Sequence, residues 1–408
     1  MAIKNLLDVE EAIQERMMTA AMLNTLVTHL SPPPIPAVQA WGKSYDGSQG
    51  SLIDLSQAVP GYPAHEKMLQ WLGEASSSLA YTNYGPIEGE TILREAYAAH
   101  VSEIYDAKIS ADNIHITSGC NQAFVCASMV AASAGHTILV TDPFYFNHET
   151  TLAMLGIKTD KVNCTASEGF VPTIDAIQMA MTPDVRALAL VTPNNPTGAI
   201  YPADRLQVIF EFCRDAGIWL ILDETYRDFL PDGAGAPHGL FATADWQENL
   251  IELYSFSKSF CIPGHRLGAI VAGGAVVEQI AKIMDNLQIC PPRAPQAALA
   301  RALPALTEWR AGNRLEIEVR AKALRDVMAE LDGWALESIG AYFAFVRHPF
   351  DGMASEMVAE QLAKRAGILA IPGEYFGERQ TPFLRFAFAN ADAQTIRELR
   401  GRLAGFGL

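Results

Sequence analysis

Five short segments of this sequence end in residues that could do chemistry. Ser118-Gly119-Cys120, Pro143-Phe144-Tyr145, Asn194-Asn195-Pro196-Thr197-Gly198, Asp223-Glu224-Thr225-Tyr226 and Ser255-Phe256-Ser257-Lys258 each follow an apolar run. A lysine amine can attack a carbonyl and, once its pKa is lowered, carry a proton. A serine-glycine pair that opens a helix offers backbone N–H groups to an anion. Farther on, Arg385 stands in Phe383-Leu384-Arg385-Phe386-Ala387-Phe388. A guanidinium amid apolar residues is costly without a partner, and it grips a carboxylate with two parallel hydrogen bonds that a lysine cannot reproduce. Each residue alone has an ordinary explanation: an exposed lysine, an Asn-Pro turn, a packed tyrosine, an N-capping aspartate. Five consecutive strand ends bearing polar or aromatic groups exceed what loop composition predicts.

The apolar runs that must position these residues cover 114–117, 137–141, 187–191, 219–222, 250–254 and 267–272, with helix-length segments between them. They stay mostly apolar instead of alternating, the pattern of strands covered on both faces in a wound α/β sheet. Ligands of such sheets bind beyond the carboxyl ends of the strands. Upstream, residues 8–30 have helical spacing, and Pro32, Pro33, Pro34 and Pro36 are expected to forbid a helix and impose an extended arm. The turn Asn83-Tyr84-Gly85-Pro86 precedes a helix over 90–104. After Pro295 come a helix-rich stretch at 296–331, strands at 342–346 and 383–389, a helix at 355–366 and a last helix, which read as a smaller α+β region.

A chain of 408 residues exceeds what one core usually organises. The expected architecture is a three-layer α/β/α large domain with a mostly parallel sheet, residues 55–295, and a smaller α+β domain, residues 296–408. The segment 1–54 is expected to join the small domain as a helix and arm, with the junction near Cys290–Pro295.

A formal net charge of −16 argues against nucleic-acid binding, which needs a basic face. The six scattered cysteines fit packed thiols in a reducing compartment, although Cys120 at a helix start could carry a lowered thiol pKa. Acids at Asp8, Glu10, Glu11 and Glu15 replace the apolar stretch of a signal peptide, and no run of eighteen apolar residues appears, so a cytoplasmic protein without a membrane partner is expected. Phosphate-loop, zincin and hydrolase-elbow motifs are absent, and His148, Glu149 and His265 read as supporting groups instead of metal ligands.

Ser255-x-Ser257-Lys258 followed by Gly264-x-Arg266-x-Gly268 resembles, in residue types and spacing, the lysine motif of the class I/II aminotransferases, the fold-type I pyridoxal-phosphate enzymes related to aspartate aminotransferase. The resemblance runs from about Leu55 to Ala389. It implies pyridoxal 5'-phosphate held by Lys258 as a Schiff base, with Lys258 also moving the proton. It implies that Asp223 keeps the ring nitrogen protonated, that Tyr226 and Asn195 hydrogen-bond the phenolic oxygen, and that Tyr145 lies on the ring. Ser118, Gly119, Cys120, Ser255, Ser257 and Arg266 would hold the phosphate, and Arg385 the substrate carboxylate. Tyr84 resembles the tyrosine that reaches the neighbouring subunit's phosphate, which implies a homodimer with shared active sites.

Two features depart from the family pattern. Ala58 stands where glycine is usual, in a loop bordering the substrate. Where dicarboxylate-specific members carry a second arginine, a loose match gives Asp285, and a small gap would bring in Arg293 instead. The implied reaction moves an amino group from an L-amino acid to a 2-oxo acid. The same lysine, aspartate and arginine equally serve carbon–sulfur β-elimination, decarboxylation or racemisation, since the protein selects which bond breaks. A transcription regulator with an aminotransferase-like domain would need a longer, basic head than the first 54 residues provide.

Overall fold

The computed structural model describes residues 22–408. Most of the helix expected over 8–30 lies outside these residues; within 22–32 the chain forms one turn, Thr25–Thr28, whose Leu26 N–H donates to the Asn24 side chain.

From residue 33 onward the chain forms one compact unit. It begins with a correction: the prolines do not impose an extended arm, because Pro34–Gly42 is a helix with Pro33 as its N-cap. Pro34 and Pro36 fall in the first turn, where N–H groups have no partner within the helix, so a missing donor costs nothing and the fixed φ favours helix entry. Strand β1 (Ile53–Asp54) follows, then helices Glu66–Ser76 and Thr91–Tyr105.

Seven strands form the main sheet: β2 (Ile114–Thr117), β3 (Thr137–Asp142), β4 (Lys158–Asn163), β5 (Val185–Val191), β6 (Trp219–Asp223), β7 (Leu250–Ser255) and β8 (Gly268–Ala272), in the spatial order β2-β8-β7-β6-β5-β3-β4. All neighbours pair in parallel except β8, which runs antiparallel to both β2 and β7. Every strand read from the sequence is there, and each is buried almost throughout because apolar clusters cover both faces of the sheet. Each fully buried Leu, Ile or Val contributes roughly 1.5–3 kcal/mol. The strand of this sheet that was missed, β4, is an edge strand reading Lys-Thr-Asp-Lys-Val-Asn, with only Val162 buried. An edge strand needs no apolar run, so composition hides it. Outside this sheet, β1 and the strands Ala335–Gly340, Ile368–Leu369 and Ile371–Pro372 were not read from the sequence either.

Helices Arg293–Ala305 and Thr307–Met328 lead into a four-stranded antiparallel sheet of β9 (Ala335–Gly340), β10 (Phe343–Arg347), β12 (Ile371–Pro372) and β13 (Phe383–Phe386), ordered β12-β13-β10-β9. A third apolar cluster covers it, with helices Thr307–Met328 and Ala393–Ala404. The expected strand over 383–389 stops at Phe386, because the Ala387 N–H turns away to donate to the Leu55 carbonyl. Strand β11 (Ile368–Leu369) pairs in parallel with β1 and so anchors the segment that runs on through Leu55 to Ala58. Among the described residues no helix is long and apolar enough to cross a membrane.

Candidate active site

Strands β2, β3, β5, β6 and β7 point the same way, so their carboxyl ends share one rim, and the antiparallel β8 starts at that rim. A cleft of ≈ 320 Å³ opens there. Of the residues proposed from sequence, Ala58, Cys120, Tyr145, Asn195, Asp223, Tyr226, Ser255, Ser257, Lys258, Arg266 and Arg385 all line it.

Lys258 sits in the one-turn helix Phe256–Ser259, started by Ser255, whose hydroxyl accepts the Ser257 N–H. Its Nζ donates to the Ala58 carbonyl at 2.5 Å. Burial, assisted by the charges of Arg266 and Arg385, lowers its pKa to about 8. The amine is therefore partly neutral near neutrality, as a nucleophile and proton carrier must be. The turn is braced from beneath, where Tyr254 Oη lies 2.7 Å from Ser259 Oγ and donates to Asp228 Oδ2 at 2.5 Å.

Asp223 ends β6 deep in the cleft. Burial alone would raise its pKa, but His148 Nε2 at 3.4 Å and the Thr225 N–H at 3.0 Å outweigh burial and hold the carboxyl below the usual range. It therefore stays anionic. His148 is itself fixed by stacking on Phe124, with ring centroids 3.8 Å apart, in keeping with a supporting role.

The same cleft holds a group of donors with few acceptors. Gly119, at φ +88, starts the helix Cys120–Ala131, and a Cβ there would strike the Arg266 guanidinium. A Cβ at Gly268 would lie 2.7 Å from the Gly119 carbonyl carbon, so both glycines are needed for the close approach. Arg266 donates to the Ser118 and Pro263 carbonyls at 3.3 and 3.0 Å. The Ser257 hydroxyl is buried without a partner. A helix start, a guanidinium and an orphaned hydroxyl facing one space fit a phosphate dianion.

One expectation for this corner changes. Ser118 does not line the cleft: its N–H donates to Gln122 Oε1 at 2.6 Å and its hydroxyl to Gln288 Oε1 at 2.7 Å, so it braces the loop instead. Cys120 keeps to the expected packed thiol: burial and the nearby Asp223 carboxylate push its pKa well up and outweigh any helix effect.

Arg385 lies at the other end. It is 2 % exposed in β13, flanked by β10 and β12, and so is no edge-strand arginine. Its Nη1 donates to Asn195 Oδ1 at 3.1 Å and its Nη2 to the Ser56 carbonyl, while Nε is buried without a partner. The guanidinium carbon lies 5.1 Å from each of the Phe343 and Phe376 ring centroids. Burial lowers its pKa to about 10, with Tyr226 and Tyr145 opposing the shift, so it remains a cation at neutral pH. Tyr145 accepts a hydrogen bond from Asn147 at 2.7 Å, and burial raises its pKa to about 12.

Tyr84 is 78 % exposed and away from this cleft. Arg293 is also elsewhere: it pairs with Glu90 at 2.5 Å and donates to the Ala80 and Asn83 carbonyls at 3.0 Å, and Asp285 is exposed on the helix Gly274–Leu287. Reading the sequence missed Ile35, Gln57, Val59, Phe146 and Asn147 in the cleft wall, and Gln122 and Gln288 behind the helix start. Several had a neighbouring signal: Gln57 and Val59 flank Ala58 in the loop expected to border the substrate, Phe146 and Asn147 follow Tyr145, and Ile35 stands among the prolines.

The sequence profile described as "Aminotransferase class I and II" matches residues 51–403. The chain is 28% identical over 365 residues to an aromatic aminotransferase of Arabidopsis thaliana, covering 86% of this chain and 88% of that one. It is 25% identical to a valine–pyruvate aminotransferase of Mycobacterium tuberculosis, covering 90% and 95%. Its structure is similar to an aromatic aminotransferase from Pyrococcus horikoshii, with a TM-score of 0.81 at 26% identity over 86% of this chain and 95% of that one. It also superposes on a Thermus thermophilus aspartate aminotransferase with maleate, at a TM-score of 0.86 and 24% identity, over 94% and 99%.

Proposed function

Because the chain belongs to the class I and II aminotransferases, enzymes dependent on pyridoxal phosphate, we propose that it moves the amino group of an L-amino acid to a 2-oxo acid, with Lys258 as the residue bonded covalently to the cofactor. The observation that carries this reading is an amine of pKa about 8 in one cleft with a buried anionic Asp223 and a buried Arg385 that keeps an unused N–H.

When bound, pyridoxal phosphate supplies an electron sink for a carbanion at Cα. The helix start at Gly119-Cys120, the Ser255 and Ser257 hydroxyls and Arg266 are the groups that would hold its phosphate. Asp223, kept charged by His148 and Thr225, would hold the proton on its ring nitrogen; Tyr226 and Asn195 would meet its phenolic oxygen and Tyr145 its ring face. Arg385 orients the substrate carboxylate through paired N–H groups, which fixes the Cα–H bond relative to Lys258. Lys258 Nζ, free as an amine once the substrate's amino group has taken its place, would accept the proton from Cα.

Tyr84 supports a homodimer. With Leu79, Ile92, Leu287 and Ile289 it is one of several large apolar side chains left exposed, and the stretches that carry them are tied together by Arg293 and by a Gly85 N–H contact with Cys290 Sγ. In this reading the tyrosine of one copy completes the phosphate site of the other.

Borohydride reduction followed by peptide mapping tests the assignment: the label is expected on Lys258 alone, and label on another residue rules it out. An amino acid supplied without acceptor is expected to convert the bound cofactor stoichiometrically to its pyridoxamine form. Steady release of ammonia would mark a lyase instead.

A further inference from the structure

Among the described residues, the cleft is lined by four charged side chains, Asp223, Lys258, Arg266 and Arg385. In the reading above, on which this inference rests, all four are committed: to the ring nitrogen, the proton, the phosphate and the α-carboxylate. Within one chain, no further cation lines the cleft for a second carboxylate. Arg293, the candidate for that task, has its guanidinium occupied by Glu90 and two backbone carbonyls.

The wall that remains is uncharged, and part of it is carbon surface. Ile35, Val59 and Phe146 are half-buried and face the cleft, and Ala58 adds a methyl group to the same loop. Phe376 joins this wall to the carboxylate site, because its ring lies 5.5 Å from Phe146 and 5.1 Å from the Arg385 guanidinium. An amino acid held by Arg385 therefore has its side chain within reach of carbon surface. The nearby polar groups Gln57 and Asn147 are neutral amides, and the Asn147 amide already donates to Tyr145. They offer hydrogen bonds and no charge.

We infer that the donor amino acid has a bulky, uncharged side chain, aliphatic or aromatic, and that aspartate and glutamate are disfavoured because this chain's wall offers their side chains carbon and neutral amides in place of a counter-charge. A carboxylate pressed into this wall keeps its desolvation penalty without compensation. Burying a phenyl or isobutyl group against Ile35, Val59 and Phe146 is favourable in proportion to the area covered.

The test uses the holoenzyme and single-turnover conversion of its cofactor by a panel of L-amino acids. Phenylalanine, tyrosine, leucine and methionine are expected to show kcat/KM on the order of 100-fold above aspartate and glutamate. In Phe146→Ala the kcat/KM ratio of phenylalanine to alanine is expected to fall about tenfold. Should that variant fail to fold, the wild-type ranking still decides. Aspartate or glutamate reacting as fast as phenylalanine would overturn the inference while leaving the aminotransferase reading intact. Conversion by no donor at all would overturn both.

Discussion

The two ends of the cleft are built differently. The phosphate end comes from strand termini of one sheet: Gly119 and Cys120 after β2, Ser255 to Lys258 after β7, and Arg266 just before β8. The carboxylate end is assembled from pieces far apart in sequence, namely the helix residue Ile35, the loop 56–59, Asn195 after β5 and Arg385 in β13. The first end is set by the sheet, whose strands hold their own termini in register. The second exists only when two sheets and several loops pack together, so small shifts in packing reach substrate choice before they reach cofactor binding.

Substitutions at each end measure how independent they are. Lys258→Ala removes the amine between them and is expected to lower transamination by about 10³-fold or more, checked by single-turnover spectroscopy with borohydride labelling lost. Arg385→Lys keeps the charge and loses the paired N–H geometry. It is expected to reduce kcat/KM roughly 100-fold, mostly through KM, while the cofactor dissociation constant barely moves. Equal loss of cofactor affinity would show that the two ends are one unit.

The reverse experiment is Gln288→Ala, which removes the acceptor shared by Ser118 and Gln122 at 2.7 and 2.8 Å. Pyridoxal phosphate should bind about tenfold more weakly. Pyridoxal, which lacks the phosphate, should be affected less, and the ranking of amino-acid donors should stay unchanged. An effect of the same size concerns pH. Only the neutral amine reacts, and burial places the Lys258 pKa at about 8, below its ordinary value of 10.5. Cofactor uptake by the apoprotein should therefore rise with pH, roughly tenfold from pH 7 to pH 9, with its midpoint near 8. A midpoint near 10 would mean that the amine is solvated. The same shift means that the folded chain binds fewer protons than the unfolded chain between about 8 and 10.5, so this group's contribution to stability increases with pH across that window.

The contrast also explains what the sequence revealed. Lys258, Asp223 and Arg266 follow or precede apolar runs that could be read as strands, so their place at one rim was legible. Arg385 was legible because a charge inside an apolar strand is unusual. Ile35, Val59 and Phe146 are ordinary apolar residues whose role comes from long-range packing, which no local pattern encodes. Strand β4 was hidden by its polar edge composition, and the helix Pro34–Gly42 by prolines read as breakers when they sit where a helix tolerates them. At Cys120 a helix start favours an acidic thiol, but burial beside Asp223 dominates and leaves the packed thiol that was expected.

The reversed direction of β8 has one more effect. Because β7 exits and β8 enters at the same rim, the connection 255–268 is a hairpin that contributes Lys258 on its way out and Arg266 on its way back. The two cations therefore cannot drift apart independently, and any insertion into this hairpin would displace both at once.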